Sequence, residues 1–305
     1  MLEQVRGGGL LSPGAPVVVL LSGGRDSICM LDLAVEALAP DRVAALHVNY
    51  GLRDGAAGDE RHCAELCEGL GVALTVERPR RPDGAGNLQA WARDARYAAA
   101  ARLALPRSAA IATGHTADDL VETILYRLAS SPSRRALLGM RPSDGHLVRP
   151  LLTFTRAQTT AYCEERGLAW REDATNAEDT YARNRVRHGL IPALEAIHPA
   201  AAANVLRTAE LLRAEAEVLN GLVSDELGGP HGKTIGLERL GTLPPALRRL
   251  VVQQLADGAA GKPVPGAANH AEEVAVLRRT GTAMLDLGGG VRAVVERGIL
   301  HAERP

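Results

Sequence analysis

Aromatic residues make up 3% of the 305 residues, with a single phenylalanine, too few for a broad base-stacking platform of the single-strand-binding kind. Lysine occurs twice among the 35 basic residues, at 233 and 262, so arginine supplies the other 33. The four cysteines, Cys29, Cys63, Cys67 and Cys163, are too few and too scattered for a disulfide scaffold. Cys63 and Cys67 stand one helical turn apart, without the C-x-x-C spacing of a metal or cluster site, and read as core. The strongest apolar run, Val17 to Leu21, falls far short of the roughly 20 residues of a membrane span. The first fifteen residues hold one basic residue, Arg6, and no apolar segment ahead of Pro13 and Pro16. No membrane and no cleaved signal are expected, and the chain reads as cytosolic.

What is present suits a folded protein: 46% apolar residues, 23% charged and a net charge of −1. A chain of this length buries roughly three quarters of its unfolded surface and suggests two domains. Any basic surface must be built from arginine, whose flat two-pronged donor set matches phosphate, so nucleic acid stays in play despite the neutral total.

Val17 to Leu21 breaks at Ser22-Gly23-Gly24, after which Ile28, Leu31, Val35 and Leu38 recur at helical spacing. The pattern is strand, glycine turn, helix. Further strands are expected at 43–48, 72–76 and 109–113, with helices marked by Cys63, Leu66, Cys67 and Leu70, by 90–105 and by Leu120, Val121, Ile124, Leu125 and Leu128. Such alternation predicts an α/β fold, an open and mostly parallel sheet with helices on both faces. Thr155-Arg156-Ala157-Gln158 has the capping-box pattern of a helix start. A strand-like piece at 168–172, a helix at 183–197 and a long alanine-rich helix closed by Gly228-Gly229-Pro230 follow. Helices at 244–255 and 271–278 and a hairpin within 284–300 make a small helical α+β domain. The expected organisation is a catalytic domain over 1–190, a helical linker over 191–230 and a C-terminal domain over 231–305.

Ser22-Gly23-Gly24-Arg25-Asp26-Ser27 sits where strand passes to helix, the place where backbone amides and the helix dipole converge on an anion. Asp26 would stand beside the phosphates, where Mg2+ is held. The loop has no Walker lysine, and the nearest match, Gly228 to Thr234, is one residue short between its glycines. His47 closes the second strand on the sheet's carboxyl edge, a position that suits adenine contact. Asp118 and Glu122 are four apart on one helix face and Asp119 lies about 100 degrees away. Acids there either favour a helix dipole or hold Mg2+ and a cationic amine.

The S-G-G-x-D-S run resembles the pyrophosphate-binding loop of the ATP pyrophosphatases. Together with His47 to Arg53, Ala92-Arg93 with Arg96-Tyr97, His115 to Thr123, Arg149-Pro150-Leu151-Leu152, and Glu172 to Asn176 followed by Tyr181 to Arg187, it resembles the tRNA(Ile)-lysidine synthetase family. The resemblance is strong over about 20 to 190 and weaker from Leu237 to Leu300; Tyr50 and Thr116 stand where the family commonly has histidines.

The resemblance implies a PP-loop fold and a cytoplasmic carbon–nitrogen ligase. There ATP activates the C2 oxygen of the wobble cytidine in tRNA(Ile) with a CAU anticodon, releasing diphosphate, and free L-lysine displaces AMP. Ser22, Gly23, Gly24, Arg25, Asp26 and Ser27, with His47, would bind ATP. Asp26 and Asp119 would hold Mg2+, and Asp118 and Glu122 would face the lysine amine. Arg93, Arg96, Arg183, Asn184, Arg185 and Arg187 would engage the tRNA, with a homodimer left open. The rival readings are a PP-loop tRNA thiolase, which would need a cysteine pair or an iron–sulfur cluster, and a non-catalytic nucleotide-binding module.

Overall fold

The structure of the protein, a computed structural model, describes residues 1–52, 55–82, 84, 86–130, 134–171, 182–278 and 280–305. The chain forms two compact units, Met1–Glu210 and Leu211–Pro305. The boundary between them falls inside one 26-residue helix, so the residues 191–230 expected as a linker are shared between the two.

The first unit opens with α1 (Leu2–Gly7), β1 (Val17–Leu20), α2 (Arg25–Leu38), β2 (Val43–Val48), α3 (Ala56–Leu70) and β3 (Ala73–Glu77). It continues through α4 (Leu88–Ala104), β4 (Ala110–Ala112), α5 (Ala117–Ser130) and α6 (Arg134–Leu138) to two short strands, β5 (Ser143–Asp144) and β6 (Leu147–Val148). Next come α7 (Arg156–Glu165), α8 (Ala182–Arg185), a π-helical turn over Val186–Leu190, α9 (Ile191–Ile197) and the start of α10 (Ala201–Glu226). The strands lie in the order β3-β2-β1-β4-β6-β5, all parallel except β5 at the edge.

The central strand shows why the sequence demanded this layering. Val17 and Val19 pack into one core with Ile28, Leu31 and Cys63, whereas Val18 and Leu20 enter a second with Leu46, Ala100 and Ile111. Successive side chains of a strand point to opposite faces, so a strand covered by helices on both must be apolar throughout.

Two local expectations resolve differently. The capping box forms: Thr155 N donates to Gln158 Oε1 at 2.8 Å and Gln158 N to Thr155 Oγ1 at 3.3 Å, which starts α7 at Arg156. The strand expected at 168–172 does not form over its described part. Leu168 and Trp170 pack against the core while the backbone of the segment is held by isolated bonds, Leu168 N to Cys163 O, Arg171 N to Gly23 O and His62 Nε2 to Ala169 O. An alternating apolar pattern buries one face equally well without a ladder.

The second unit holds the end of α10, then β7 (Thr234–Gly236), α11 (Leu237–Thr242), α12 (Pro245–Ala260), α13 (Ala271–Ala275), β8 (Thr282–Gly288), β9 (Val291–Glu296) and β10 (Ile299–Glu303). The expected hairpin is part of a four-stranded antiparallel sheet, β7-β10-β9-β8. The helix expected at 271–278 stops at Ala275. Val223, Leu240, Val252, Leu255, Val295 and Leu300 build the core of this unit. The glycine-lysine run at 228–234 leads into strand β7, not into a helix, so it lacks the context of a Walker loop. Both lysines, Lys233 and Lys262, belong to this unit and are exposed. Among the described residues no single helix is long and apolar enough to cross a membrane.

Candidate active site

The turn between β1 and α2 is shaped by its own hydroxyls. Ser27 Oγ donates to Gly24 O at 2.7 Å and accepts from Ser22 N at 3.1 Å, while Ser22 Oγ lies 3.0 Å from Ser27 Oγ. Gly23 adopts φ +86, a left-handed conformation that other residues rarely tolerate. Gly24 is the N-cap of α2, with no side chain to cover the first helical amides. The result is a half-buried helix start framed by a tight loop, the arrangement that receives phosphate.

His47 is buried at the end of β2, and its Nδ1 donates to the Leu21 carbonyl at 2.9 Å with Cys63 Sγ 3.4 Å away. It therefore fastens the second strand to the first residue of the loop. Nearby, Tyr50 Oη donates to Ala92 O at 2.8 Å and its ring meets Trp91 edge-on, centroids 5.8 Å apart.

The loop between β4 and α5 runs against the glycine turn. A Cβ added at Gly114 would lie 2.5 Å from Asp26 O and 3.0 Å from Ser27 N. Only a residue without a side chain lets the two segments approach so closely. Three residues on, α5 begins with Ala117, Asp118 and Asp119. Thr116 N donates to Asp119 Oδ2 at 2.9 Å, and Thr116 Oγ1 at 3.1 Å.

Arg156, the first residue of α7, stands in the middle of the acids. Its Nε lies 3.7 Å from Asp26 Oδ2, its Nη2 3.2 Å from Asp119 Oδ1 and its Nη1 3.4 Å from Glu122 Oε1. Its backbone amide donates to Asp118 Oδ2 at 2.7 Å. Thr159, one turn further along α7, donates to Asp26 Oδ1 at 2.5 Å. Arg183 adds a second guanidinium, 2.9 Å from Glu122 Oε2 and 3.3 Å from Asp119 Oδ1, and Arg187 Nε lies 3.8 Å from Glu122 Oε1. Asp26, Asp119 and Glu122 thus share one cation. Asp118 instead caps α7, and the helical face that groups it with Glu122 does not decide its partner.

The electrostatics follow from crowding in a half-dry site. Burial drives the Asp119 carboxyl upward, but Arg183, the Thr116 amide and Arg156 outweigh it and hold the group below its usual value. Burial likewise pulls Arg156 down, and Asp119, Glu122, Asp118 and Asp26 more than reverse this, so its pKa is raised. His115, which closes the loop before α5, is pulled down to about 4, first by burial and then, against the pull of Asp119, by Arg149, Arg183 and Arg96. Its Nδ1 is 2.7 Å from Thr113 Oγ1.

The remaining expected residues lie in the same unit. Arg93 and Arg96 are on α4, both over the Tyr97 ring, with Cζ to centroid 4.8 and 5.3 Å. Asn184 and Arg185 are on α8. Arg53, Glu172 to Asn176 and Tyr181 lie outside the described residues. Arg156 and Thr159 were not legible as site residues: in sequence they are merely the first turn of a capped helix. The fold alone carries that turn to the glycine turn after β1.

The oxygen donors fit a hard cation in kind. Asp26 and Asp119 reach one positive group from two sides, and Mg2+ is commonly held by one or two carboxylates together with substrate phosphates. The cysteines do not resemble cluster ligands. All four are buried; Cys163 Sγ donates to the Arg25 carbonyl at 3.8 Å, and burial pushes Cys63 up to about 12 and Cys67 to about 11.

A family model described as a PP-loop domain matches residues 9–194. A tRNA(Ile)-lysidine synthase from Gloeobacter violaceus is 38% identical over 265 residues, covering 81% of this chain and 78% of the relative. One from Leifsonia xyli is 35% identical, covering 95% and 90%, and one from Solibacter usitatus is 36% identical, covering 83% and 59%. This chain thus spans little more than half the length of the Solibacter relative. Among solved structures, the U34-tRNA thiolase NcsA from Methanococcus maripaludis with its 4Fe–4S cluster aligns over 70% of this chain and 77% of that one. Its TM-score of 0.58 at 18% identity is a likeness of fold. The open parallel sheet, the glycine turn and these relatives together place the chain in the tRNA(Ile)-lysidine synthase family.

Proposed function

We propose that the protein uses ATP to adenylate the C2 oxygen of the wobble cytidine of tRNA(Ile) with a CAU anticodon, releasing diphosphate, and then joins the amine of free L-lysine to C2 as that oxygen departs with AMP. One observation carries the reading: carboxylates from two strand ends, Asp26 from the nucleotide turn and Asp119 and Glu122 from the start of α5, converge on Arg156.

The residues divide the work by charge. Amides of the turn from Ser22 to Ser27 would take the departing diphosphate, whose developing charge suits fixed donors at a helix start. Asp26 and Asp119 would hold Mg2+, which supplies countercharge to the phosphates. Glu122 and Asp118 would receive the lysine ammonium, competing for carboxylate oxygens with Arg156 and Arg183. The amine must lose a proton before it attacks, and a carboxylate beside it can accept that proton. Arg93, Arg96, Arg183, Asn184 and Arg187 would engage the RNA, and the Leu211–Pro305 unit would add further tRNA contact.

The test incubates the protein with ATP, labelled lysine and tRNA(Ile) carrying the CAU anticodon, and looks for label in the RNA. Lysine incorporation that is lost in Asp26→Asn is the expected result. Sulfur transfer into the RNA, or tight ATP binding without turnover, would replace this reading with a thiolase or a nucleotide-binding module.

A further inference from the structure

Each of the two carboxylates that converge from separate strand ends has a buried threonine behind it. Thr159 and Thr116 are both fully enclosed, at 0% exposure. Thr159 Oγ1, on α7 and 133 residues further along the chain, donates to Asp26 Oδ1 at 2.5 Å, and Arg25 Nε donates to the same oxygen at 3.2 Å. Asp119 Oδ2 accepts from Thr116 N at 2.9 Å and from Thr116 Oγ1 at 3.1 Å. In both carboxylates the other oxygen is the one that faces Arg156. Asp26 Oδ2 lies 3.7 Å from Arg156 Nε, and Asp119 Oδ1 lies 3.2 Å from Arg156 Nη2.

A helical threonine ordinarily turns its hydroxyl back to a carbonyl three or four residues earlier. Thr160 does so, donating to Arg156 O at 2.8 Å. Thr159 lies 3.0 Å from that carbonyl but closer to the Asp26 carboxylate, and a hydrogen bond to an ionised oxygen is the stronger. Thr116 stands just ahead of α5, where its hydroxyl and Asp119 cap the helix reciprocally; Asp119 N points back to Thr116 Oγ1 at 3.5 Å. The terminal torsion of an aspartate is soft, so an unheld carboxylate offers either oxygen. A donor fixed on one oxygen sets the plane and leaves the other turned to the site.

We propose that Thr159 and Thr116 are positioning residues that hold Asp26 and Asp119 with one oxygen each turned to a single divalent cation, and thereby favour Mg2+ over Ca2+. This rests on the reading of Asp26 and Asp119 as the Mg2+ carboxylates and extends it to the groups behind them. Mg2+ demands near-octahedral geometry at about 2.0–2.1 Å, whereas Ca2+ accepts about six to eight oxygens in looser arrangements. Carboxylates pinned from behind suit the smaller ion, and swinging ones suit the larger. The ion would compete with Arg156 for the same two oxygens.

The experiment titrates Mn2+, a paramagnetic substitute for Mg2+, into the full chain saturated with a non-hydrolysable ATP analogue. Free Mn2+ is read by electron paramagnetic resonance, Mg2+ and Ca2+ serve as competitors, and Tm is measured in parallel. Thr159→Val should bind Mn2+ about 10-fold more weakly, as when a hydrogen-bond partner behind a metal ligand is removed. It should also narrow the preference for Mg2+ over Ca2+ by about threefold. Thr159→Ser, which keeps the hydroxyl, should stay close to wild type. Thr116→Val should lose about threefold, because the backbone amide remains on Asp119 Oδ2. Binding of the analogue in EDTA should be unchanged in all three. In an Asp26→Asn background, adding Thr159→Val should cost nothing further, since the threonine acts through that carboxylate. A merely structural threonine would lower Tm and leave both the Mn2+ affinity and the Mg2+/Ca2+ ratio alone.

Mn2+ affinity of Thr159→Val within twofold of wild type overturns the positioning role. So does a loss in Thr159→Ser as large as in Thr159→Val, or one that persists undiminished in Asp26→Asn. Each of these leaves the metal reading intact. A wild type that adds no Mn2+ affinity to that of the analogue alone, or that keeps it in Asp26→Asn, refutes the metal reading as well.

Discussion

Gly114 lies so close to the backbone of Asp26 that a methyl group on its α-carbon would sit 2.5 Å from the Asp26 carbonyl oxygen. Neither segment can yield cheaply, since one is the start of α2 and the other leads into α5. The Gly114→Ala substitution should therefore part the two segments. The expected cost is about 1–3 kcal/mol of stability, as for overpacking elsewhere, and at least a tenfold loss of ATP affinity. Calorimetric titration with ATP and a thermal melt would check both; affinity within twofold of wild type would show that the contact does not shape the nucleotide turn.

Removing the shared guanidinium tests the acid cluster. Arg156→Met leaves Asp119 and Glu122 to Arg183 and Arg187, and takes the cation from Asp26 apart from its neighbour Arg25. With the Arg156 side chain 17% exposed, the loss at pH 7 should be about 2–4 kcal/mol, below the full value for a dry pair. The sign with pH follows from Asp119, whose carboxyl is held low in the folded protein. Stability from such a group is present above its unfolded pKa and disappears as pH falls through the folded one. The gap between wild type and Arg156→Met should therefore narrow in acid, as urea midpoints at pH 7 and pH 3 would show.

His115 makes a separate prediction about acid. Its pKa falls from 6.5 to about 4 on folding, so between those values the unfolded chain binds more protons than the folded one. Stability should rise with pH across that window, by up to about 3 kcal/mol at roughly 1.4 kcal/mol per unit. His115→Asn should flatten the rise, measured as the difference between the two pH–stability curves. Equal slopes would mean that the imidazole takes up its proton over the same pH range in the folded and unfolded chain.

Much of this was visible before any fold was known, and the reasons are local. Val17 to Leu20 announced a doubly covered strand through its unbroken apolar run, and Thr155 with Gln158 announced a helix start by reciprocal hydrogen bonding. The acids at 118, 119 and 122 stood out because three at one strand end are costly. Their actual partners were not visible, since Arg156 and Arg183 are 34 and 61 residues from Glu122 and meet it only through the packing of α7 and α8. Periodicity put Asp118 on the face of Glu122, yet Asp118 turned to the open amide of Arg156. The short strands β5 and β6 escaped notice because two residues are too few to show alternation.

The distribution of lysine has a practical outcome. Lys233 and Lys262 are exposed and belong to the Leu211–Pro305 unit, so in Met1–Glu210 the only primary amine is that of Met1. Acylating esters that couple dyes or biotin to amines will leave every guanidinium around the carboxylates intact. Dicarbonyl reagents, which condense with guanidinium groups, will strike both units, because arginines of Leu211–Pro305 such as Arg239, Arg249 and Arg292 are exposed as well. Amine chemistry thus marks the Leu211–Pro305 unit at its two lysines and the first unit at Met1 alone, with no substitution needed.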